Sequence, residues 1–198
     1  MNLTYMRTLV RRDLKDEDAN NYRWTDEEID RAIQRAVQEL SLYIPRELTT
    51  DLPTTEGSYQ IDISSLAQIG IVRVEYPIGE EPPVYRRFSV WGNTVTLREG
   101  DPGDGSDARI YYRAQHSITT ESSTVPGHLE HMVALGAAAH AVLALAQYVT
   151  ETAGIGGIQA DRDLREWGHE MYERFISRLE KEAGGDRVKT STLYVDEG

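Results

Sequence analysis

The sequence has 198 residues, of which 39% are apolar and 27% charged, a composition typical of one globular domain of ordinary size. It contains no cysteine, which excludes disulfides, thiolate zinc sites, iron–sulfur clusters and a cysteine nucleophile. The net charge of −12 argues against nucleic-acid binding, because a DNA-binding surface gains affinity by neutralising phosphates with Lys and Arg. No uninterrupted run of about 18 apolar residues is present, so we expect a soluble protein with no membrane span.

Two helices are predicted in the N-terminal part of the chain. Residues 3–14 carry apolar side chains on one helical face, with Thr4 as the candidate cap. Thr25 and Glu28 are spaced as a capping box, in which each side chain satisfies a free backbone N–H of the other residue. An apolar stripe at helical spacing follows and ends before Pro45, which cannot continue a helix. The stripe comprises Ile29, Ile33, Ala36, Val37, Leu40 and Ile44.

From residue 58 onward the apolar residues alternate with polar ones, which predicts β-strands. The alternating segments are 59–63, 71–76, 84–90, 94–97 and 109–113. Trp91-Gly92-Asn93 separates two of them and is a candidate hairpin turn, whereas the glycine-rich residues 99–107 predict a flexible acidic loop. Residues 58–116 are therefore predicted to form a small antiparallel sheet of four or five strands.

Helical periodicity returns at Pro126, since proline is favoured at the first position of a helix. The predicted helix over 126–152 is rich in alanine and glycine, so that a neighbouring backbone can approach it closely. The glycine-rich segment 154–157 breaks this helix, and a last amphipathic helix is predicted over 158–183. Its buried stripe comprises Leu164, Trp167, Met171, Phe175 and Leu179.

These elements predict an α+β fold, mainly a helical bundle of about four helices with an inserted small antiparallel β-sheet and an extended C-terminal tail. Residues 1–57 and 117–185 are predicted to form the bundle, because the two helical halves bury their apolar stripes together. Residues 58–116 form the inserted β subdomain, and residues 186–198 form the tail.

No pattern of catalytic residues is present in the sequence. It lacks the Gly-x-Ser-x-Gly elbow, the phosphate-binding Gly-Lys-Ser/Thr and the His-Glu-x-x-His motif. His128 and His131 share one helical face, but a metal site needs at least one further ligand, and solvated or capping histidines are the better interpretation. We therefore predict a protein that is not an enzyme and that has no cofactor and no metal.

The signals for protein–protein interaction are stronger than those for chemistry. The alanine-rich helix is either buried core or a surface that packs against another copy of the chain; the packing residues would be Gly136, Ala137, His140, Ala141 and Ala144. The tail is either disordered, the default for a chain end, or a strand that adds to a partner's sheet edge. The strand is favoured by the residue types at Val188, Thr190, Thr192, Leu193, Tyr194 and Val195.

Four segments together resemble the head–tail adaptor (connector) proteins of tailed bacteriophages. They are IDISSLAQIGIVRVEYP, FSVWGNTVTL, ARIYYRAQHSI and STVPGHLEHMVALGAAAHAVLALA, the last followed by a charged helix. The resemblance covers roughly residues 5–183 and rests on the order of elements and on loose hydrophobic patterns. It implies a structural protein of the virion neck, built as a helical bundle with a β insertion.

The resemblance also implies an assembly with named partners. Such adaptors form a ring, usually a dodecamer, beneath the portal protein after genome packaging, and the virion is assembled in the host cytoplasm without a membrane partner. Double-stranded DNA passes through the ring without specific binding, and stopper or tail (nozzle) proteins attach on the opposite side. Carried over to this chain, residues 188–195 dock onto the portal, and loops 77–83 and 99–107 face neighbouring subunits or the next ring.

Two alternative functions stay open at this point. One is another neck or baseplate completion protein of a phage, which would share most of these signals. The other is a cellular α+β ligand-binding module, whose pocket would be formed by Trp91, Tyr85 and Tyr112. Ring formation distinguishes the phage proteins from a compact monomer that binds a small molecule.

Overall fold

The computed structural model describes residues 1–152 and 158–184. Within those residues the fold is α+β, with four α-helices and two small antiparallel sheets, which confirms the predicted fold class. The helices are α1 (Leu3–Leu14), α2 (Asp26–Tyr43), α3 (Glu130–Thr152) and α4 (Ile158–Gly184), with a 3-10 turn at Gly127–Leu129. The predicted glycine break at 154–157 and the predicted tail, 186–198, lie outside the described residues.

The chain forms two compact units. The first comprises Met1–Tyr5 and Val37–Gly127, and the second comprises Met6–Ala36 and His128–Gly198. The first unit holds both sheets, whereas the described part of the second is helical apart from its connector. The division into a bundle of residues 1–57 and 117–185 with an insertion of residues 58–116 stays a prediction.

The two N-terminal helices begin at side chains that cap free backbone N–H groups. The N–H of Tyr5 donates to Oδ1 of Asn2 at 3.0 Å, so Asn2 caps α1 and the prediction of Thr4 is wrong. The N–H of Thr25 donates to Oε2 of Glu28 at 2.8 Å, and the N–H of Glu28 donates to Oγ1 of Thr25 at 3.2 Å, which confirms the capping box. Every residue of the predicted α2 stripe is at most 3% exposed.

The β-structure consists of two sheets rather than the single sheet of four or five strands predicted. The strands are β1 (Arg46–Pro53), β2 (Gln60–Asp62), β3 (Gln68–Glu75), β4 (Tyr85–Arg86), β5 (Phe88–Trp91), β6 (Thr94–Leu97) and β7 (Asp107–Ala114). The first sheet has the order β1-β7-β3-β4 and the second β2-β6-β5, with every pair antiparallel. The strand predicted over 84–90 is interrupted at Arg87, and its two parts belong to different sheets.

Side chains from both sheets form the core of the first unit. They are Ile61, Ile63, Val74, Tyr76, Val95, Leu97, Ala108 and Ile110, and each is at most 3% exposed. Strand β6 shows why the period of two matters, since Val95 and Leu97 are buried while Thr94 and Thr96 between them are only half-buried. The alternation predicted from the sequence thus places one face of β2 and of β6 in this core.

Strand β1 is an element that the sequence pattern did not predict. It pairs with β7 along its whole length, from Arg46 opposite Ala114 to Pro53 opposite Asp107. Only Leu48 and Leu52 of its eight residues are aliphatic, and both are half-buried. As an edge strand it carries three charged residues and ends in proline, and β4 at the opposite edge has only two residues. Both features discourage pairing with strands of other chains.

Helices α3 and α4 pack closely because two contact positions have no side chain. A Cβ atom on Gly136 would lie 2.7 Å from Cζ of Phe175, and one on Gly168 would lie 2.8 Å from Cδ2 of Leu143. Both distances are too short for carbon atoms in contact. The ring of Phe175 therefore occupies the space over Gly136 and is fully buried.

The segment Gly127–Val149 is long and apolar enough to cross a membrane, by length and composition only, with a mean hydropathy of 1.7. The lack of an uninterrupted apolar run therefore did not exclude a segment of this composition, and the expectation of no membrane span stays a prediction. About half of the most apolar window, 56%, is buried inside the protein, as in the core helix of a soluble protein. Burial accounts for the composition without a bilayer.

The acidic loop 99–107 is tied at its centre to the core. Oδ1 of Asp104 accepts hydrogen bonds from Oη of Tyr76 at 2.7 Å and from the N–H of Ser106 at 2.9 Å. The hydrogen bonds from Ser106, and after them the one from Tyr76, lower the pKa of Asp104 from 3.8 to about 2. The loop predicted to be flexible is thus anchored at Asp104 to a side chain that is only 3% exposed.

The Asp104 carboxyl is expected to titrate with a midpoint at about pH 2 in carbon NMR of the native protein. Because the folded pKa lies below the unfolded one, this contribution to stability is present above the unfolded pKa of 3.8 and is lost as the pH falls through about 2. Tyr76→Phe removes one donor to the carboxylate, so the midpoint should rise but stay low, since the Ser106 bonds remain. Tyr85→Phe, at an exposed tyrosine, is the control, and equal midpoints in both variants would contradict the anchoring contact.

Candidate functional site

The two histidines considered as metal ligands do not converge with further ligands. Nε2 of His128 lies 3.7 Å from Oε1 of Glu182, and their side chains are 64% and 46% exposed. His131 is exposed as well. Within residues 1–152 and 158–184, no group of three or more His, Cys, Asp or Glu side chains is arranged to hold a metal ion.

A buried ion cluster connects α1 with the segment that leads into α2. Nη1 of Arg11 donates to Oδ2 of Asp16 at 2.6 Å, and Nη2 donates to the carbonyl of Trp24 at 3.0 Å and to Oδ1 of Asp26 at 2.8 Å. Asp16 also accepts a hydrogen bond from the N–H of Arg23 at 2.7 Å. The cluster fixes a connector that has no regular structure, so its role is structural.

A second polar cluster lies across β1, β7 and β3. Nε of Arg109 donates to Oδ1 of Asp51 at 2.8 Å, and Oη of Tyr111 donates to Oε2 of Glu75 at 2.7 Å. The hydrogen bond to Glu75, and after it burial, raises the pKa of Tyr111 to about 12, while the Arg109 contact lowers the pKa of Asp51. Both acids are thus engaged by cross-strand partners, and the cluster joins strands instead of presenting a proton donor.

The second unit carries an open groove, here called the α2–α3 groove, with a volume of about 220 Å³. Its apolar walls are Trp24, Ala32, Ala141, Ala144, Leu145 and Tyr148, and its polar rim is Glu28, Arg31, Arg35 and His140. Nε1 of the buried Trp24 donates to the carbonyl of Ala141 at 3.2 Å, which fixes one wall. Small-molecule pockets enclose roughly 300–1,000 Å³, so this groove suits a single protruding side chain better than a whole ligand.

Two arginines on the rim of this groove carry uncompensated charge. Arg31 and Arg35 are exposed, and neither has a hydrogen bond, ion pair or ring contact with another described residue. They lie one helical turn apart, where like charges repel each other. Glu28, the acid beside them, hydrogen-bonds Thr25 through the capping box and neither arginine. Two arginines against one glutamate make the rim locally basic in a chain of net charge −12.

The five residues proposed for helix packing fall into two groups. Gly136 and Ala137 are buried, and Gly136 faces Phe175 of the same chain, as the buried-core interpretation requires. His140, Ala141 and Ala144 line the α2–α3 groove instead, where Ala144 is exposed. The predicted contact between copies is untested and stays a prediction, and the groove is one part of α3 that is open to solvent.

The second sheet presents an outward face at the tip of the β5–β6 turn, here called the hairpin face. In its outermost row Asp62 pairs with Thr94, and Thr94 pairs with Trp91, so the three side chains lie on one side of the sheet. Trp91 is 90% exposed. Gly92 has φ = 55° at the first central position of the turn, where a type II′ hairpin favours glycine.

The aromatic residues considered for a ligand pocket are not brought together. The ring of Tyr85 packs edge-on against Tyr111 with centroids 6.1 Å apart. Tyr112 lines an open depression of about 370 Å³ that neither Tyr85 nor Trp91 lines. Trp91 faces solvent. The geometry therefore gives no support to the ligand-binding alternative.

The proposed portal-docking tail, Val188 to Val195, lies outside the described residues. The groove and the hairpin face are features that the sequence reasoning did not predict as surfaces. A signal was present for the second, since tryptophan in a predicted turn has no core to enter. The groove had no such signal in the sequence, because it depends on a tertiary contact. Trp24 precedes α2 but packs on α3.

The described residues thus combine an α+β fold with an open groove between α2 and α3 and an exposed hairpin face. A sequence model of the SU10 adaptor protein family matches residues 1–189, and the chain belongs to that family. No curated protein matches the chain. Among solved structures, a chain in the neck of an empty GTA (gene transfer agent) particle, computed with C6 symmetry, matches at 13% identity with a TM-score of 0.31, covering 78% of this chain and 80% of that chain.

Family membership confirms the resemblance to phage head–tail adaptors that the sequence suggested. The chain is thus a member of a phage adaptor family. Membership also favours a structural role over an enzymatic one and over a cellular ligand-binding module.

Proposed function

We propose that the protein is the ring-forming adaptor between the head and the tail of a phage. In this role the ring lies beneath the portal, extends the DNA channel and provides the attachment site for stopper or tail (nozzle) proteins. The family match over residues 1–189 carries the proposal. We propose twelve subunits, assembled in the host cytoplasm, and native mass spectrometry of the ring counts them.

The charge of the chain suits a channel wall that DNA must pass without adhering. Acidic residues outnumber basic ones by 33 to 21, so the protein on average repels a polyanion. Salt screens this repulsion beyond about 8 Å, which confines it to the channel surface. We propose that loops 77–83 and 99–107 face neighbouring subunits or the next ring.

We propose that residues 188–195 dock onto the portal as an added strand. Fourteen residues follow Gly184, and at about 3.3 Å per residue they reach at most about 46 Å from the end of α4. That reach is sufficient to cross from one protein to the next. Residues 190–195 combine two threonines with Leu-Tyr-Val, and strand addition gains main-chain hydrogen bonds whatever the partner's side chains.

Deleting residues 186–198 is expected to abolish binding to purified portal while leaving the fold intact. The deletion removes every proposed docking residue and none of the buried core residues within the part of the chain that the structure describes. Pull-down measures binding, electron microscopy shows whether a ring is added beneath the portal, and circular dichroism checks the helical content.

The matched control deletes only residues 196–198 and should retain binding, since the docking segment ends at Val195. If the deletion of residues 186–198 left binding to portal undiminished, the result would contradict the docking role of the tail. A native chain that adds no ring to portal at all would instead count against the adaptor function.

A further inference from the structure

We propose that the hairpin face of one subunit docks into the α2–α3 groove of a second copy. The inference rests on the proposed ring function and names the contact that builds the ring. The two surfaces lie on different parts of the chain and are not self-complementary. Contacts between two different surfaces are heterologous, and they close into a ring when the rotation between copies permits.

Trp91 is the donor side chain of this contact. It is 90% exposed at the tip of the turn, and it makes no hydrogen bond or ring contact with another described residue. Tryptophan is among the residues most enriched at the energetic centres of protein interfaces, because it buries a large rigid surface at small entropic cost. In the isolated subunit the exposed side chain of Trp91 contributes no buried apolar area. Docking into a groove on a second copy would bury it.

The α2–α3 groove supplies the matching acceptor. Ala32, Ala141 and Ala144 leave space between the larger walls, and the volume of about 220 Å³ fits one large side chain. Arg31 and Arg35 stand at the rim, and a guanidinium stacks favourably on an indole face. The groove thus offers both an apolar floor and a partner for the ring of a tryptophan.

The charges of the two surfaces are complementary. Asp62 lies in the same row as Trp91, two strands away, which places it about 10 Å from the tryptophan backbone. The basic residues of the hairpin, Arg87 and Arg98, lie at its opposite end, so the tip carries acidic charge alone among its described residues. A carboxylate at the tip then meets Arg31 and Arg35, which have no acidic partner within the described chain.

Cysteine cross-linking tests the contact, since the full-length chain has no native cysteine. Asn93→Cys subunits, which keep Trp91 and carry the cysteine in the same exposed turn, are mixed with Ala144→Cys subunits and treated with a short bismaleimide. We expect a heterodimer that is absent from a matched mixture of Asn93→Cys with Glu170→Cys, an exposed position on α4. The chain with both Asn93→Cys and Ala144→Cys should give a ladder of dimers, trimers and longer oligomers.

Charge reversal supplies the second arm. Arg31→Glu with Arg35→Glu on the Ala144→Cys subunit should lower the cross-linked fraction about tenfold, the factor expected from 1.4 kcal/mol. Adding Asp62→Arg to the Asn93→Cys subunit should then restore part of the yield, because the two reversed sets of charges attract each other again. Absence of restoration would show that the two sets of charges do not meet.

A cross-linked fraction no higher than in the Glu170→Cys mixture would overturn the proposed contact. So would a double-cysteine chain that links only within itself, because the tryptophan would then approach its own groove. Native mass spectrometry of the unmodified protein with portal measures ring formation independently of the cross-linking. Rings without the cross-link between positions 93 and 144 would support the adaptor function and refute only this interface.

Discussion

Phe175→Ala is expected to lower the free energy of unfolding by about 3–5 kcal/mol, because it empties the contact between α3 and α4. Phe175 is fully buried, and its ring lies over Gly136, where a Cβ would approach Cζ to 2.7 Å. The α3 backbone cannot close the space without shifting the whole helix. Urea unfolding followed by circular dichroism measures the loss.

The reverse change gives an independent test of the same contact. Gly136→Ala introduces a methyl group into an occupied space and should cost about 1–3 kcal/mol. Combining Gly136→Ala with Phe175→Leu should cost less than the sum of the two single changes, since the smaller side chain makes room for the methyl group. Arg178→Ala on the exposed face of α4 is the control. Strict additivity of the pair would show that Gly136 and Phe175 do not determine the helix separation.

Asp16→Ala is expected to lower the free energy of unfolding by about 3 kcal/mol, because it removes the closest partner of the buried Arg11 charge. The two side chains are only 8% and 6% exposed, with Nη1 of Arg11 2.6 Å from Oδ2 of Asp16. The N–H of Arg23 also loses its acceptor. Asp26 remains beside Arg11, which holds the loss to the lower end of the range for broken buried pairs.

Glu17→Ala at the neighbouring position is the matched control. Glu17 pairs with Arg12 at 3.7 Å, but both side chains are more than half exposed, so the change should stay within about 0.5 kcal/mol. The double variant Arg11→Met with Asp16→Leu removes both buried charges and should recover part of the stability. A loss equal to that of Glu17→Ala would contradict the structural role of the Arg11 cluster.

The helices followed closely from the sequence because their signals are local. Thr25 and Glu28 interact within one turn, and the stripe of α2 has a period that a single helix satisfies by itself. The limits of α1 agree with the predicted range 3–14, and those of α4 with the predicted range 158–183 to within one residue. Alternation of buried residues likewise placed β6 and most of β3 and β7.

The missing elements depend on contacts between residues distant in sequence. Strand β1 is polar and forms because β7 supplies its hydrogen-bond partners, so no window around residues 46–53 contains the signal. The β-structure divides into two sheets because β4 pairs with β3, whereas β5 pairs with β6. The burial of Arg11 also depends on the irregular connector, which brings the carbonyl of Trp24 to its guanidinium. The α2–α3 groove depends on the contact between Trp24 and Ala141, which are far apart in the sequence.

The edges of the first sheet bear on the tendency of the protein to aggregate. One edge strand, β1, carries three charges and a terminal proline, and the other, β4, is two residues long. The first sheet therefore discourages indiscriminate extension by strands of other chains at both of its edges. Under the proposed ring function, copies would recognise each other through side-chain-specific surfaces and not through these edges.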